Sequence, residues 1–448
     1  MTSSSTKVGG DVSEQVIRKV FLRIMPYIIL LYILCFINRV NVSFASLTMS
    51  EDLGFSASVY GFGAGIFFIG FFIFELPSNL LLQKFGARIN IARIQLAWGL
   101  LSAGMAFVSS DTGFYWMRFL LGFAEAGFFP GIILYMTYWF PRAYRARVIG
   151  SFLLGIPLAN IIGSPLSGLV LSMNGVLGMK GWQWLFLMEG LPTVILAFVT
   201  FRFLPDRPEK CTFLSESERV ALSAKIAEEN SQLKQARHFS LWEGISNWRV
   251  LALTTVYFGI TMGLYGVAFW LPQIMKSFGF SNMAIGFLNA VPYVVATVGM
   301  LIWVRVSDRS NERIWSSALA CFLTFAGLSL STQTSSPVLA LVAMAMAVTG
   351  ILSSMALFWT ISTAFLSGTA AAGAIAVISS LANLSGFVGP YMMGWLKDLT
   401  GSFSGGLLGL ALFPLIAGLV VLAIGTDALI KHALQQKQED VHREQLLH

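Results

Sequence analysis

Five charged side chains interrupt the apolar stretches of this 448-residue chain, and they are Arg39, Arg118, Glu75, Glu125 and Glu189. A charge in such a stretch costs several kcal/mol unless a partner or a polar cavity offsets it. Arginine binds a carboxylate through two parallel hydrogen bonds, and a glutamate in low-dielectric surroundings can take up and release a proton. The two arginines and Glu125 predict a site that binds an anion and a proton. Glu75 and Glu189 precede Pro77 and Pro192, and we expect a structural role for them at helix breaks.

Arg118 and Glu125 are seven residues apart, which places them on one helical face about 10 Å apart along the axis. Arg39 lies in the middle of "CFINRVNVSF". We predict that Arg39 and Arg118 bind the anion and that Glu125 carries the coupling proton. One alternative is that Arg39 and Glu125 only pair as an internal strut. Another is that Arg118 is a gate or a scaffold partner of Glu125.

Twelve apolar stretches position these charges. Hydrophobic residues make up 56% of the chain and charged residues 11%, against about 25% charged in soluble domains. We therefore predict an all-α membrane protein with twelve transmembrane helices. The predicted spans are 24–48, 57–82, 90–109, 113–137, 147–172, 184–204, 249–275, 282–304, 313–332, 337–361, 370–396 and 404–430.

The distribution of basic residues predicts the orientation. If both termini are cytoplasmic, all but five of the 29 lysines and arginines lie on the cytoplasmic side. Lys180, Lys276 and Lys397 then fall in outer loops, and the remaining two are intramembrane. Because cytoplasmic loops are enriched in basic residues, we predict cytoplasmic termini. The net charge of +7 then reflects orientation, and we expect no nucleic-acid partner.

The two halves of the chain share a repeat. "QKFGAR" at 83–88 and "SDRSNER" at 307–313 align at an offset of 225, which also relates the starts of helices 1 and 7. Internal repeats are typical of secondary transporters. We predict a six-helix half over 1–204, a cytoplasmic linker over 205–248, a second half over 249–431 and a cytoplasmic tail over 432–448.

The predicted linker contains "SESERVALSAKIAEENSQLKQ", which begins with the capping-box pattern of Ser215 and Glu218. We predict an amphipathic helix here. The alternative is a solvated segment with no further role.

Metal ligands and catalytic motifs are scarce. The three cysteines are scattered, and the four histidines lie outside the apolar stretches. No nucleophile elbow or phosphate-binding loop is recognisable. We therefore expect no metal, no cofactor and no enzymatic activity.

Several motifs together resemble one family. They are "NRVNVSFA", "FFIFELPSNLLLQKFGARINIAR", "RFLLGFAEAGFFPGIILYMTYWFP", "GWQWLFLMEGLP", "DRPEK" and "NLSGFVGPYMMGWLKDLTG". Across essentially the whole chain they resemble the anion:cation symporter branch of the major facilitator superfamily, and within it the tartrate, phthalate and hydroxyphenylacetate permeases. The resemblance implies proton-coupled import of a small organic carboxylate by alternating access. It also implies a multi-pass protein of the bacterial cytoplasmic (inner) membrane, and we expect a functional monomer in the lipid bilayer.

The resemblance further implies a cytoplasmic gating motif, G-x-x-x-D-R/K-x-G-R-R. Here Asn79 replaces the first glycine and Gln83 the aspartate. The second half retains an Asp-Arg pair. The residues that match are Lys84, Gly86, Arg88, Asp308 and Arg309.

Two departures from the family concern the site. Asn38 stands where sugar-acid transporters have a protonatable aspartate, and an asparagine does not titrate. We therefore expect fewer protons per anion and keep Asn38 as a substrate contact. Phe36 and Phe71 stand near positions where those relatives have tyrosines. They predict a cargo with an apolar or aromatic body, unless they only pack, while the overall resemblance equally admits tartrate.

Asn383 precedes Gly386 and Pro390 at helical spacing in the eleventh predicted helix. We predict a flexible helix with one polar substrate contact, and the alternative is a helix–helix contact. For the whole chain, the alternatives to symport are an anion exchanger or exporter of the same fold and, with less support, a passive channel or nutrient sensor.

The predicted orientation can be tested in a chain whose three native cysteines are replaced by serine. Lys180→Cys and Lys276→Cys should react with a membrane-impermeant maleimide in intact cells, because both positions lie in predicted outer loops. Lys210→Cys, in the predicted linker, is the matched control and should react only after permeabilisation. Labelling of this control from outside would overturn the orientation.

Overall fold

The computed structural model describes residues 13–233, 247–310, 312–365 and 370–425, which form helices joined by short turns. Residues 234–246 of the predicted linker and the predicted tail, 432–448, lie outside this part. The helices are α1 (Glu14–Val40), α2 (Val42–Leu53), α3 (Ala57–Phe85), α4 (Ala87–Gly104), α5 (Asp111–Glu125), α6 (Phe128–Thr137), α7 (Arg142–Leu153), α8 (Gly155–Leu171), α9 (Gly181–Phe203), α10 (Glu216–Leu233), α11 (Trp248–Ser277), α12 (Asn282–Ser310), α13 (Ile314–Ser331), α14 (Pro337–Phe365), α15 (Ala370–Asn383), α16 (Ser385–Thr400) and α17 (Phe403–Ile424).

Ten helical segments of the described chain are long and apolar enough to cross a membrane. The predicted spans 90–109 and 370–396 are not among them. The first contains α4, whose polar residues include Arg93 and Gln95. The second is divided into α15 and α16, and each is shorter than the roughly 20 residues that a span requires. The number twelve therefore remains a prediction.

Some predicted spans consist of two helices joined end to end. The sharpest break separates α5 from α6, where Ala126 has ψ 134° and Gly127 has φ +85°. Pro130 follows and has no N–H to donate to the Ala126 carbonyl, so a helical hydrogen bond is missing there in any case. Milder separations fall at Asn41, Leu154 and Leu384.

The two halves meet at the end of the bundle that carries the turns 54–56, 278–281 and 401–402. There α3 packs against α16, and α8 packs against α12. Asp398 of α16 accepts hydrogen bonds from the backbone N–H groups of Ala57 and Ser58, at 3.1 and 2.7 Å. A carboxylate at a helix N-terminus is favoured because the N–H groups there lack helical partners. This contact therefore ties α16 to the start of α3.

The contact between α8 and α12 depends on small residues. A Cβ added to Gly286 would lie 2.7 Å from the Ser164 carbonyl oxygen and 3.0 Å from the Gly168 Cα. Asn289 donates to the Ser164 hydroxyl at 2.7 Å. Glycine thus lets the two backbones approach closely, as is common between membrane helices. The halves are closed against each other at this end.

The helix α10 begins with the capping box expected from the sequence. The backbone N–H of Ser215 donates to Glu218 Oε2 at 2.9 Å, and the backbone N–H of Glu218 donates to Ser215 Oγ at 3.3 Å. Lys19 of α1 also donates to the Glu218 carboxylate. The hydrogen bond from Lys19 holds the pKa of Glu218 below its usual value.

The helix α10 also packs on the first half. Glu229 accepts a hydrogen bond from the backbone N–H of Arg142 at 2.9 Å and lies 3.7 Å from the Arg145 guanidinium. Leu222 and Ile226 are buried, and Glu229 follows them at helical spacing on the same face. The described part of the linker is therefore anchored to the beginning of α7.

Gly127→Ala is expected to destabilise the protein by about 2 kcal/mol or more, because φ is positive there and a Cβ would lie 2.1 Å from Ser78 Oγ. The measurement is the thermal unfolding midpoint in detergent. Gly150→Ala is the matched control, since a Cβ there meets nothing within 4 Å, and alanine favours a helix. Equal midpoints for the two variants would contradict the strained break.

Candidate functional site

Arg39 and Glu125 form a buried ion pair between α1 and α5. Arg39 Nε donates to Glu125 Oε1 at 2.9 Å, and Nη2 donates to the same oxygen. Arg39 is 8% exposed and Glu125 is 0% exposed. Glu125 Oε2 is buried and has no hydrogen-bond partner among the described residues. The pair therefore leaves one carboxylate oxygen unsatisfied, which a purely structural strut does not explain.

Helix ends position both members of the pair. Arg39 lies in the last turn of α1, and Glu125 is the last residue of α5. The partial negative charge of a helix C-terminus favours the guanidinium and disfavours a carboxylate. Glu125 is thus placed where its negative charge depends on Arg39.

Three phenylalanines surround the Arg39 guanidinium. Its central carbon lies 5.9 Å from the ring centroid of Phe36 and 5.4 Å from those of Phe67 and Phe71. Such cation–π contacts contribute about 2 kcal/mol when desolvated. Phe36 and Phe71, predicted as substrate contacts, are therefore at the site and face the arginine.

Arg118 is fully buried and donates to backbone carbonyls. Its guanidinium contacts the carbonyl oxygens of Gly63 at 3.3 Å, Ala64 at 3.1 Å and Arg39 at 3.4 Å. Within the described residues it forms no ion pair with a carboxylate. The structure thus places Arg118 as a clamp that joins α5 to α3 and to the end of α1, close to the separation of α1 from α2.

Asn38 points away from the ion pair. Its Nδ2 donates to the carbonyls of Leu34 and Glu189, at 2.8 and 3.2 Å, and to Thr193 Oγ1 at 3.2 Å. Successive helical residues diverge by about 100°, so Asn38 reaches α9 while Arg39 reaches α5. The structure does not bring the Asn38 amide to the Arg39–Glu125 pair.

The second half contributes Tyr265 and Asn383. The Tyr265 hydroxyl donates to Asn383 Oδ1 at 3.4 Å and lies beside the Arg39 guanidinium. Tyr265 also packs on Phe68, with ring centroids 4.4 Å apart. The sequence reasoning missed Tyr265, because a tyrosine in the apolar run "GLYGVAFW" carries no charge. The two halves therefore converge on Arg39.

Cysteine is the remaining reactive residue type at the site. Cys35 Sγ donates to Glu125 Oε1 at 3.2 Å. No group of three or more His, Cys, Asp or Glu residues that could hold a metal occurs in the part of the chain that the structure describes. The polar contacts of the site are therefore one ion pair and the hydrogen bonds around it.

Comparison with known proteins identifies the family. The model of the Major Facilitator Superfamily matches residues 28–390. The chain belongs to this superfamily. The prediction of the family is confirmed, and the chain is a multi-pass membrane transporter and not an enzyme.

Relatives cover nearly the whole chain. A "Putative tartrate transporter" of Agrobacterium vitis is 49% identical over 94% of this chain and 97% of its own length. A quinolone resistance transporter of Acinetobacter baumannii is 43% identical over 92% of this chain and 96% of its own. The inner membrane transport protein RhmT of Escherichia coli is 38% identical over 92% and 95%.

Solved structures share the superfamily fold. A bacterial homologue of the human lysosomal transporter Spinster superposes with a TM-score of 0.69 at 16% identity, over 93% of this chain and 97% of that one. The xylose transporter XylE of Escherichia coli gives a TM-score of 0.69 at 14% identity, over 93% and 98%. The all-helical superfamily fold is therefore confirmed.

The first copy of the predicted gating motif contacts the end of the first half. Gly86 has φ +85°, and the backbone N–H of Arg88 donates to Asp206 Oδ1 at 3.0 Å. Arg88 Nε also lies 3.4 Å from Asp206 Oδ2. Lys84 is exposed. The structure thus connects this copy to the "DRPEK" segment.

The second copy forms a separate ion pair. Arg313 lies 2.7 Å from Asp308, and Arg309 is exposed. Each copy of the motif therefore forms its ion pair within its own half of the chain.

Arg118→Lys is expected to lower the thermal unfolding midpoint, with a loss of about 2 kcal/mol or more. A lysine cannot span three carbonyl acceptors, and a hydrogen bond from a charged group contributes about 1.5–3 kcal/mol. The control is Arg309→Lys, which changes an exposed arginine in the same way. An unchanged midpoint for Arg118→Lys would remove its role as a clamp.

Proposed function

We propose that this transporter imports a small organic carboxylate together with protons across the bacterial cytoplasmic membrane. The observation that carries the proposal is the Arg39–Glu125 pair, which has one unpartnered carboxylate oxygen and lies where both halves converge. The names of the Agrobacterium relatives make tartrate the first candidate. Phthalate and hydroxyphenylacetate-like acids are further candidates.

The proposed topology has twelve spans and cytoplasmic termini. The halves are 1–204 and 249–431, with the linker 205–248 between them. In this orientation the closed end, where Asp398 contacts α3, faces the periplasm. If the bundle closes alternately at its periplasmic and its cytoplasmic end, the anion crosses by alternating access. We propose that a monomer is sufficient for this.

Competition for Arg39 provides the coupling. A substrate carboxylate and Glu125 both require the same guanidinium, and the low dielectric makes an unpaired carboxylate costly. Protonation of Glu125 therefore releases Arg39 to the substrate, and substrate binding favours protonated Glu125. Tyr265 and Asn383 would contact the bound anion from the second half and draw the halves together.

The phenylalanines do not require an aromatic cargo. Phe36, Phe67 and Phe71 surround the arginine, and these cation–π contacts already account for their presence at the site. A compact polar acid such as tartrate can then bind through the two hydrogen-bond donors of Arg39 and the hydroxyl of Tyr265.

A second candidate is export or exchange of an anion by the same fold. The specific observation in its favour is the 43% identical relative named for quinolone resistance. Reconstituted vesicles separate the candidates. Symport predicts that an inward proton gradient concentrates tartrate inside, whereas strict exchange predicts uptake only when the vesicles are preloaded with an anion.

Glu125→Gln is expected to abolish uphill accumulation of tartrate and to retain counterflow exchange, because exchange requires no net proton movement. Arg39→Lys is expected to weaken tartrate binding at least tenfold, because lysine lacks the two-donor geometry. The measurements are uptake of radiolabelled tartrate under a pH gradient, counterflow, and equilibrium binding.

The matched control for these variants is Glu51→Gln, which alters an exposed glutamate at the end of α2. It should accumulate tartrate as the unaltered chain does. Normal accumulation by Glu125→Gln would place the coupling proton elsewhere, and unchanged affinity in Arg39→Lys would remove Arg39 from the binding site.

A further inference from the structure

A second carboxyl group lies inside the first half, away from the Arg39–Glu125 pair. Glu189 of α9 is partly exposed as a residue, whereas its Oε2 atom is buried. Its Oε1 accepts a hydrogen bond from Ser167 of α8 at 2.7 Å. Ser167 is 2% exposed. The carboxyl group is therefore held by a neutral donor.

The surroundings of Glu189 contain unsatisfied polar atoms. Asn41, 1% exposed, is its other polar neighbour, and both the Oδ1 and the Nδ2 of Asn41 lack hydrogen-bond partners among the described residues. Glu189 Oε2 and Asn38 Oδ1 are also buried without partners. Buried unpaired polar atoms cost about 1–3 kcal/mol each, so several of them in one place indicate a missing ligand.

No opposite charge stabilises an ionised Glu189. In the described structure α8 contains no ionisable residue, and Arg39 of α1 is paired with Glu125. The helix α4 meets α9 at Gly99 and Gly190, and Arg93 lies six residues, or about 9 Å, before that contact. The other charged groups of the elements around Glu189 lie toward the ends of those elements. They are Glu14, Arg18, Lys19 and Arg23 of α1, Glu51 and Asp52 of α2, Arg88 of α4 and Arg202 of α9.

A proton fits the polar atoms of this site. It turns Glu189 Oε2 into a donor, for which the unpartnered Asn41 Oδ1 is the available acceptor. When the proton leaves, rotation of the Asn41 amide presents Nδ2 to the carboxylate, beside the Ser167 hydroxyl. An asparagine side chain can donate and accept, so the same two partners serve both protonation states.

We propose that Glu189, Ser167 and Asn41 form a second proton site, which loads together with Glu125 and gives the transporter two protons for each dicarboxylate. This inference rests on the proposed symport. A dianion that crosses with one proton carries one net negative charge against an inside-negative potential. With two protons the transported complex is neutral, and accumulation is independent of the membrane potential.

The test uses the purified full chain in vesicles and radiolabelled tartrate, with the membrane potential set by potassium and valinomycin. For the unaltered chain, we expect accumulation driven by the pH gradient to be the same at zero and at an inside-negative potential. Glu189→Gln mimics the protonated acid and should carry one proton fewer. Its accumulation ratio should then fall about fiftyfold per 100 mV.

Glu75→Gln is the matched control. Glu75 is also a membrane glutamate whose carboxylate accepts a hydrogen bond from a serine, Ser380, at 2.8 Å. Its variant should keep the voltage independence of the unaltered chain. Ser167→Ala is a milder change at the proposed site, and it should shift the pH of half-maximal uptake upward because the carboxylate loses a donor.

Infrared difference spectra give a readout that does not depend on transport. The carbonyl stretch of a protonated carboxylic acid should disappear with rising pH in the unaltered chain, and Glu189→Gln should remove one such titrating band. A band that does not titrate would make Glu189 a permanently neutral structural group and overturn the proposal. Stimulation by sodium at constant pH, lost in Glu189→Gln, would replace the proton with a metal cation and also overturn it.

Failure of the two proposals can be distinguished. If the unaltered chain shows no uptake in response to a pH gradient, the proposed symport fails, whatever the infrared result. If uptake by the unaltered chain is proton-driven and independent of potential, and Glu189→Gln behaves in the same way, only the second proton site fails.

Discussion

The buried pair of Arg39 and Glu125 is the interaction on which the rest of the site depends. Neither charge is tolerable alone at this depth, and Glu125 lies at a helix C-terminus that disfavours its negative charge unless Arg39 is present. Three aromatic rings enclose the guanidinium, and Arg118 donates a hydrogen bond to the backbone carbonyl of Arg39. The position of the arginine is thus fixed by contacts to its main chain and its side chain.

The broken helices follow from the same requirement. At Gly127 the chain turns away immediately after Glu125, which ends α5 at the level of Arg39 instead of carrying the helix past it. Asn383 similarly ends α15 at the level of Tyr265. Non-helical backbone inside a membrane protein is tolerated where protein or a polar cavity surrounds it. The breaks therefore mark the depth at which the two halves present their polar groups to each other.

Much of this arrangement could be predicted from sequence, because charges in apolar stretches are rare and conspicuous. Arg39 and Glu125 were identifiable by residue type, and the spans by length. The carbonyl partners of Arg118 could not be predicted, because a sequence does not show which backbone acceptors lie near a side chain. The direction of the Asn38 side chain, toward α9, could not be predicted either. Tyr265 carries no charge and was missed. The separation of α15 from α16 also hides one predicted span, because each piece alone is too short.

The balance of charge within the first half connects the two carboxyl groups. In the proposed cycle, both groups are ionised when the transporter carries no cargo, and Glu125 and Glu189 then offset Arg39 and Arg118. When a dianion binds and both groups take up protons, the two negative charges of the cargo replace those of the glutamates. Glu75 is the same in both states, so the net charge of the interior does not change. Moving charge through a low-dielectric region is costly, so a transporter whose interior charge is the same in both states can reorient with or without cargo at similar cost. With Glu125 as the only titrating group, the empty and loaded interiors would differ by one charge, and the membrane potential would favour one orientation over the other. In the proposed scheme Asn38 cannot ionise, and the second role falls to Glu189, whose backbone carbonyl accepts a hydrogen bond from the Asn38 amide.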